Sequence, residues 1–318
     1  MDKAAPRGYL PIDGIAAYDS AVKGLIFGTN SAVVQEGRVA TVQTLGGTGG
    51  LKIGADFLKK INPNAKVLIS DPSWENHRAL FSNAGFLVET YAYYDAGKRG
   101  VNFDGMLAGL KAAAPGTIVV LHACCHNPTG YDITPAQWDQ VVEAVRAGRL
   151  IAFLDMAYQG FGHGIAEDGA VIGKFVDAGL NFFVSSSFSK SFSLYGERVG
   201  ALSVVCNDKE ETARVLSQLK ITIRTNYSNP PTHGAAVVAA VLNTPELRQQ
   251  WEQELGAMRA RIKQMREKLV EGLKAAGVQR DMSFITQQIG MFSYSGLNKD
   301  QMVRLRSEFG VYGTDSGR

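Results

Sequence analysis

Short apolar runs alternate with amphipathic stretches between residues 38 and 205. The apolar runs predict strands over 38–43, 67–70, 86–91, 117–122, 150–155 and 181–184. The amphipathic stretches predict helices over 46–60, 75–83, 103–113, from Thr134 onwards and over 170–178. The helix from Thr134 opens with a capping-box pattern and a proline at its first position. Wholly apolar strands that alternate with helices predict an α/β fold, a mostly parallel sheet with helices on both faces.

The pattern changes after residue 208, where the segments become longer and more charged. The predicted elements are helices over 209–219, 232–242 and 245–275, a strand over 284–294, a helix over 299–309 and a strand over 311–312. The long charged helix suits a connector, and the elements after it outline a second, smaller α+β domain. We expect residues 1–255 to form the large domain and residues 256–318 to belong to the small one.

The composition is that of an ordinary globular protein. Of 318 residues, 45% are hydrophobic and 20% are charged, and the formal net charge is +3. That small charge gives no reason to expect nucleic-acid binding. No apolar run reaches the roughly 18 residues of a membrane span, and the first residues lack the apolar stretch of a signal peptide. Three cysteines, two of them adjacent, form no disulfide framework, so we expect a cytoplasmic location.

Polar clusters follow the predicted strands. Because the carboxyl ends of parallel strands meet at one edge of a sheet, and ligands bind at that edge, the clusters predict a single site. They are Gly46–Thr48, Asp71–His77, His126–Asn127, Asp155–Tyr158 and Ser185–Lys190.

The most informative segment is 184–200, VSSSFSKSFSLYGERVG, in which one lysine lies among serines at a strand end. Desolvation and nearby cations lower a lysine pKa, and the free amine can form a Schiff base with a carbonyl. The serines and Arg198 are typical phosphate ligands, since arginine binds phosphate in a bidentate manner. The alternative is a polar loop with a solvated Lys190, because short motifs also match by chance.

Three other motifs narrow the chemistry. Asp155 ends an apolar strand, where a buried carboxylate needs a partner, unless it caps the next turn. The glycines of 46–50 direct backbone amides at an anion. This segment lacks the Gly-Lys-Ser/Thr ending of a P-loop and the G-x-G-x-x-G spacing of a dinucleotide site. Cys124 and Cys125 cannot both face one tetrahedral ion, so we expect small buried residues and no metal.

The 184–200 segment resembles the lysine segment of the class I aminotransferases, in the aspartate and aromatic-amino-acid branch. The resemblance runs from Tyr9 to Arg318 and is closest to the bacterial aromatic-amino-acid (tyrosine) type. It implies a fold type I large domain with a seven-stranded sheet, and pyridoxal 5'-phosphate as the cofactor. The implied reaction transfers the amino group of an aromatic amino acid or aspartate to 2-oxoglutarate. The alternatives are β-elimination or decarboxylation with the same cofactor, or a non-catalytic fragment that binds pyridoxal phosphate.

The resemblance implies three catalytic residues, each matched to a motif of this sequence. Lys190 would hold the cofactor covalently and move the α-proton of the substrate. Asp155 would pair with the pyridine nitrogen, and His77 would orient its carboxylate. Tyr158 and Asn127 would contact the phenolic oxygen of the cofactor.

The same resemblance implies the remaining cofactor contacts. Trp74 would stack on the face of the ring. The implied phosphate ligands are Gly47, Thr48, Ser187, Ser189 and Arg198.

The resemblance also implies a homodimer with shared sites that takes amino acid and 2-oxo acid substrates. Arg318 would bind the α-carboxylate of the substrate, with Phe292 and Asn127 in the same pocket. Arg224 would enter the neighbouring subunit's site and pair with a side-chain carboxylate. Tyr9 would cross to the partner's phosphate.

Two departures from the family pattern bear on this interpretation. Pro11 stands where the family has a glycine. We also expect several tens of residues before the Tyr9 motif, and a strand and helix after Arg318, to be missing from this chain. The small domain would then be incomplete, whereas the cofactor half of the site would be complete.

Overall fold

The computed structural model describes residues 8–318, and a seven-stranded sheet lies at its centre. The strands are β1 Val39–Leu45, β2 Lys66–Asp71, β3 Leu87–Ala92, β4 Tyr94–Asp95, β5 Gly100–Val101, β6 Ile118–His122, β7 Ile151–Met156, β8 Phe183–Ser187 and β9 Val199–Val205. The sheet order is β1-β9-β8-β7-β6-β2-β3, and β4 and β5 form a separate hairpin. Within the sheet only β9 runs antiparallel to its neighbours. The predicted α/β fold with a mostly parallel sheet is confirmed.

Helices cover both faces of this sheet. The helices of residues 8–318 are α1 Ala16–Phe27, α2 Ala32–Gln35, α3 Gly46–Ile61, α4 Glu75–Asn83, α5 Phe103–Ala112, α6 Pro135–Gly148, α7 Ile165–Asp177, α8 Lys209–Asn226, α9 His233–Asn243, α10 Pro245–Ala275 and α11 Lys299–Phe309. One apolar cluster joins the sheet to α3, α4 and α8, and the other joins it to α1, α5, α6, α7 and α9. Each face therefore has its own core.

Strand β7 shows why the central strands are apolar throughout. Phe153 packs into the cluster on the α3 face, whereas Ala152 and Leu154 pack into the opposite cluster. Successive side chains of a strand point to opposite faces, so a strand covered on both sides has no solvent-facing position. The carboxyl ends of β2, β6, β7 and β8 consequently meet at one edge of the sheet.

Several elements differ from the sequence prediction or were not predicted. Helix α7 begins at Ile165, five residues before the predicted start, because the buried Asp168 interrupts its apolar spacing. Asp168 accepts hydrogen bonds from three backbone N–H groups of the preceding loop. Helix α1 and strand β9 carry no prediction of their own. Tyr18 of α1 is buried and donates its hydroxyl to the Gly200 carbonyl at 2.7 Å.

The two strands predicted in the C-terminal segment are wrong. Residues 284–294 contain a 3-10 helix over Ser283–Gln287 and then irregular chain, and residues 311–312 have no regular structure. The backbone N–H and C=O groups of this segment form hydrogen bonds with a side chain and with another loop in place of a partner strand. The Gln288 amide bonds both the N–H and the carbonyl of Tyr294, at 2.7 and 2.9 Å. Ile289 donates its N–H to the Gly130 carbonyl at 2.8 Å.

Helix α10 is the longest helix, with 31 residues, and it runs without interruption through residues 255 and 256. The domain boundary at that point stays a prediction. None of the helices between residues 8 and 318 is long and apolar enough to cross a membrane.

Gly200 of β9 allows the start of α3 to approach the sheet. A Cβ atom at residue 200 would lie 2.3 Å from the backbone carbon of Gly46, a distance that real Cβ atoms do not show. Since the obstruction is backbone, no flexible side chain can move aside.

We expect Gly200→Ala to destabilise the protein by about 1–3 kcal/mol or more, because it overpacks this backbone contact. Gly173→Ala is the matched control, since a Cβ on this α7 glycine would have no neighbour within 4 Å. That change should stabilise the helix by roughly 0.5–1 kcal/mol. The midpoint of urea unfolding measures both effects. Equal midpoints for the two variants would contradict this reading of the contact.

Candidate active site

A cavity of about 250 Å³ opens at the carboxyl edge of the sheet. Residues from five separate segments line it: Gly47, Thr48, Leu51, Trp74, His122, Asn127, Asp155, Ala157, Tyr158, Ser187, Ser189, Lys190, Tyr195 and Arg198. The clusters that the sequence predicted to share a site therefore do meet.

Asp155 lies in the floor of this cavity, next to the last residue of β7, and is only 6% exposed. Its Oδ2 atom is 2.8 Å from Nε2 of the fully buried His77. Nδ1 of His77 is 2.9 Å from the Ser73 hydroxyl. Burial alone would raise the pKa of Asp155, but the hydrogen bond to His77 and nearby positive charge bring that pKa below its usual value. The carboxylate is thus held ionised in a buried place.

Two further histidines lie behind this pair. His122 ends β6, and its ring lies 5.0 Å from the ring of His77 and 4.2 Å from the ring of His126. Burial, with His77 adding, lowers the pKa of His122 to about 3. Burial also lowers the pKa of His126 well below its usual value. Both rings are therefore neutral at physiological pH.

Lys190 lies in the turn after β8, with Nζ 4.6 Å from the centre of the Tyr158 ring. Burial lowers the pKa of Lys190, and the charge of Arg198 lowers it further, against the opposing charge of Asp155. Burial and the charge of Asp155 raise the pKa of Tyr158. The Asn127 amide donates to the Tyr158 hydroxyl at 3.4 Å. An amine of lowered pKa thus faces a neutral phenol.

Another part of the cavity lining can hold an anion. Gly47 and Thr48 belong to the first turn of α3, where backbone N–H groups point outwards and the helix dipole favours negative charge. Ser187 and Ser189 line the same cavity, and a Cβ atom at residue 47 would lie 3.0 Å from Cβ of Ser187. Nη1 of Arg198 contacts the Ser189 hydroxyl at 3.4 Å and the Tyr195 carbonyl at 3.0 Å.

Glycine at residue 46 leaves room for the Arg198 guanidinium. A Cβ atom at residue 46 would lie 2.6 Å from Nη2 of Arg198, and the backbone of Gly46 has a φ of +66°. Within residues 8–318, no carboxylate forms a salt bridge with Arg198. Its charge is therefore not neutralised by an acidic side chain of this part of the chain.

Arg318 and Phe292, from the C-terminal segment, do not line the cavity but lie next to residues that do. Nη1 of Arg318 donates to Oδ1 of Asn127 at 2.7 Å. The Arg318 guanidinium also lies over the Phe292 ring, 4.6 Å from its centre. The Phe292 ring meets the Tyr158 ring edge to face, with 5.5 Å between centres. Both side chains thus contact residues that line the cavity.

Tyr9 and Arg224 do not line the cavity of their own chain. Tyr9 is 94% exposed, and Arg224 is exposed with its guanidinium bonded to the Ser228 hydroxyl.

Sequence reasoning gave no role to His122, Ser73 or Tyr195, although Ser73 lies within the predicted cluster Asp71–His77. Of these, His122 carried a signal, since it is the polar residue that ends a wholly apolar strand. Ser73 contacts His77 through its hydroxyl, and Tyr195 contacts Arg198 through its carbonyl. The sequence pattern indicates neither contact.

The adjacent cysteines and one carboxylate resemble a metal-binding group more than the cysteine spacing in the sequence suggested. The thiols of Cys124 and Cys125 and a carboxylate oxygen of Asp168 lie within 4.8 Å of one another, all buried. A hydrogen bond with Cys125, and then burial, raise the pKa of Cys124 well above its usual value. Metal ions bind the thiolate form, so this environment favours a packed dithiol, and we assign no metal to it.

The sequence profile of aminotransferase class I and II matches residues 2–318. The chain belongs to this family. It is therefore an aminotransferase, and the polar edge of the sheet is the candidate active site of one.

Relatives of known activity agree with this family. The chain is 62% identical to an aspartate aminotransferase of Pseudomonas aeruginosa over 318 residues, which is all of this chain and 80% of the relative. It is 54% identical to an aromatic-amino-acid aminotransferase of Escherichia coli, covering 99% of this chain and 80% of the relative.

Solved structures agree as well. An aromatic-amino-acid aminotransferase from Burkholderia pseudomallei, covalently bound to pyridoxal phosphate, superimposes with a TM-score of 0.97 at 68% identity. The match covers 99% of this chain and 79% of that structure. The expected fold type of this aminotransferase is confirmed.

The two charges beside Lys190 should move its pKa in opposite directions. Asp155→Asn removes the charge that raises the pKa, so the amine should lose its proton at lower pH. Arg198→Met removes a charge that lowers the pKa, so the amine should lose its proton at higher pH. The pH dependence of amine modification in cofactor-free protein, read by peptide mass, measures both shifts, with the exposed Lys111 as internal reference. Shifts in the same direction would contradict this assignment.

Proposed function

We propose that this aminotransferase uses pyridoxal 5'-phosphate bound to Lys190. The proposed reaction moves the amino group of an aromatic amino acid or aspartate to 2-oxoglutarate. The observation that carries the proposal is the shared cavity. Lys190, the ionised carboxylate of Asp155 and the anion-binding wall around Arg198 all line it. The relatives named above act, by their names, on aspartate or on aromatic amino acids.

The side chains present fit the chemical groups of this cofactor. Asp155, ionised and buried, suits a protonated pyridine nitrogen. The hydroxyl of Tyr158 and the amide of Asn127 suit the phenolic oxygen, and the indole of Trp74 suits the ring face. The phosphate would be held by Gly47, Thr48, Ser187, Ser189 and Arg198. His77 would act through Asp155, whose carboxylate it orients.

Bound pyridoxal phosphate supplies an electron sink for the charge that develops at the substrate Cα. Asp155 would keep that sink effective, because its ionised carboxylate would pair with the ring nitrogen. Lys190 acts as the proton carrier, because burial lowers the pKa of its amine, and Nζ without its proton can accept the α-proton. Tyr158, whose pKa is raised, would stay protonated and could donate a hydrogen bond to the phenolic oxygen.

The substrate would enter between this group and the C-terminal segment. Arg318, which contacts Asn127, would bind the α-carboxylate, since arginine forms bidentate bonds with carboxylates. The Phe292 ring covers the Tyr158 ring on that side and helps to exclude water. An apolar ring at this position also suits the side chain of an aromatic substrate.

Tyr9 and Arg224 belong to the proposal as residues that serve a neighbouring subunit. Both are exposed and lie outside the cavity of their own chain, as a cross-subunit role requires. We propose a two-fold homodimer in which Tyr9 reaches the partner's phosphate and Arg224 the side-chain carboxylate of its substrate. A cytoplasmic location is also part of the proposal, supported by three buried, reduced cysteines.

Replacing Lys190 tests the covalent attachment. Lys190→Ala should abolish transamination between tyrosine or aspartate and 2-oxoglutarate, while pyridoxal phosphate still binds through its ring and phosphate contacts. Borohydride reduction of the wild-type protein, followed by peptide mass, should mark Lys190. A mark on any other lysine would overturn the assignment.

Replacing Asp155 tests its role beside the ring nitrogen. Asp155→Asn should lower kcat on the order of 10³-fold, as expected when one preorganised electrostatic partner is lost. Asp155→Glu keeps the charge and should retain part of the activity. An asparagine variant as fast as the wild type would show that the charge at residue 155 has no catalytic role.

Mixed dimers test the shared sites. Neither Lys190→Ala nor Arg224→Ala homodimers should act well on dicarboxylic substrates. A heterodimer of the two has one site with both residues intact, so it should recover part of the activity. No recovery in purified heterodimers would argue that each site belongs to one chain.

A further inference from the structure

Helix α10 runs beside three loops that carry site residues. Its inward side chains recur at helical spacing, so that one stripe is buried or half-buried while most of the residues between are exposed. The stripe consists of Trp251, Leu255, Met258, Arg259, Ile262 and Arg266. Three of these six carry a hydrogen-bond donor, which is unusual for a stripe that packs on a core.

Trp251 bonds the loop that follows Lys190. Its indole Nε1 donates to the Ser191 carbonyl at 2.7 Å, and its ring stacks on Phe192 with 4.5 Å between centres. Ser191 is the next residue after Lys190, so this contact holds the backbone from which the lysine side chain extends.

Arg259 bonds the loop that follows Tyr158. Its Nη1 donates to the Gly160 carbonyl at 2.6 Å. Gly160 has a φ of +94°, and a Cβ at this residue would lie 2.4 Å from a methyl of Leu255 on the same helix. The backbone of this loop therefore packs directly on side chains of the helix, two residues from Tyr158.

Arg266 bonds the segment that carries Phe292. Its Nη2 donates to the carbonyls of Gly290 and Phe292, both at 2.6 Å, and its Nε donates to the Ser293 hydroxyl at 3.2 Å. Arg266 is 6% exposed, and within residues 8–318 no carboxylate forms a salt bridge with it. Its buried charge is thus offset by backbone carbonyls.

The four carbonyls share one property. They belong to Ser191, Gly160, Gly290 and Phe292, all in irregular chain outside helices and strands. Across the described part of the chain, no other hydrogen bond reaches them. Because buried carbonyls require a partner, α10 sets where these loops lie.

We propose that α10 is a positioning helix for the active site, with Trp251, Arg259 and Arg266 as its positioning residues. Each acts through a neighbour: Trp251 through Lys190, and Arg259 through Tyr158. Arg266 acts through Phe292, which contacts both Tyr158 and Arg318. The kinetic part of this inference rests on the proposed function. A displacement of about 1 Å at a reacting group costs on the order of 10²-fold in rate, so anchors outside the cavity matter.

Hydrogen exchange in the cofactor-free protein tests the anchors without any turnover. Arg266→Met should speed amide exchange in 288–295 and leave 158–162 and 190–194 unchanged, whereas Arg259→Met should speed exchange in 158–162. Arg261→Met is the matched control, since Arg261 is exposed on the other side of the same helix. The proposal is overturned if exchange rises equally in all three loops, or if Arg261→Met gives the same pattern.

Steady-state kinetics then separate positioning from general stability. Arg266→Met should raise KM for the amino acid about tenfold or more with a smaller change in kcat, because it loosens Phe292 beside Arg318. Trp251→Phe keeps the ring stack but loses the donor, so it should lower kcat more than it raises KM. Arg266→Lys has one donor nitrogen where arginine has a fork, so it should lie between the wild type and Arg266→Met.

The kinetic outcomes are decisive in both directions. The same division of the effect between kcat and KM in Arg266→Met and Trp251→Phe would indicate general destabilisation rather than separate anchors, and would overturn the proposal. Should Arg266→Met fail to fold, Arg266→Lys supplies the same comparison. A wild-type protein without transaminase activity would refute the proposed function alone, since the exchange pattern tests the anchors independently.

Discussion

The site depends on one buried negative charge, the carboxylate of Asp155. A carboxylate buried on the central strand of a sheet costs free energy unless hydrogen bonds and opposite charges offset its desolvation. His77 supplies the hydrogen bond at 2.8 Å, and Lys190 contributes positive charge from the cavity side. Neutral histidines behind the pair add no competing cation. A protonated pyridine nitrogen is the natural partner for the remaining face of the carboxylate.

The sheet explains why the other groups meet this charge. Parallel strands β6, β7 and β8 place His122, Asp155 and Ser187 at the same edge. The single antiparallel strand, β9, allows Arg198 to stand at that edge as well, because the residue precedes the strand rather than ending it. Gly200 then lets the first turn of α3 approach closely enough to complete an anion-binding wall. The directions of the strands thus bring the positive charge of Arg198 and the negative charge of Asp155 to the same edge of the sheet.

Much of this could be predicted from the sequence, for physical reasons. The apolar runs revealed the sheet because buried parallel strands leave no polar positions, and polar residues at their ends revealed the site. The C-terminal strands were wrong because Gln288 and Arg266 satisfy that backbone through side chains, which residue patterns do not show. The anchors of α10 also escaped prediction, since Trp251 and Ser191 are 60 residues apart in the chain. Site roles inferred from resemblance remain predictions.

The protonation state of the cofactor's ring nitrogen tests the central claim most directly. Nuclear magnetic resonance of the wild-type protein, loaded with pyridoxal phosphate labelled at that nitrogen, reports whether the atom carries a proton. If Asp155 is an ionised, buried partner, the nitrogen should stay protonated well above the pH at which it loses its proton in water. A ring nitrogen that titrates in the protein as it does in free solution would contradict the account.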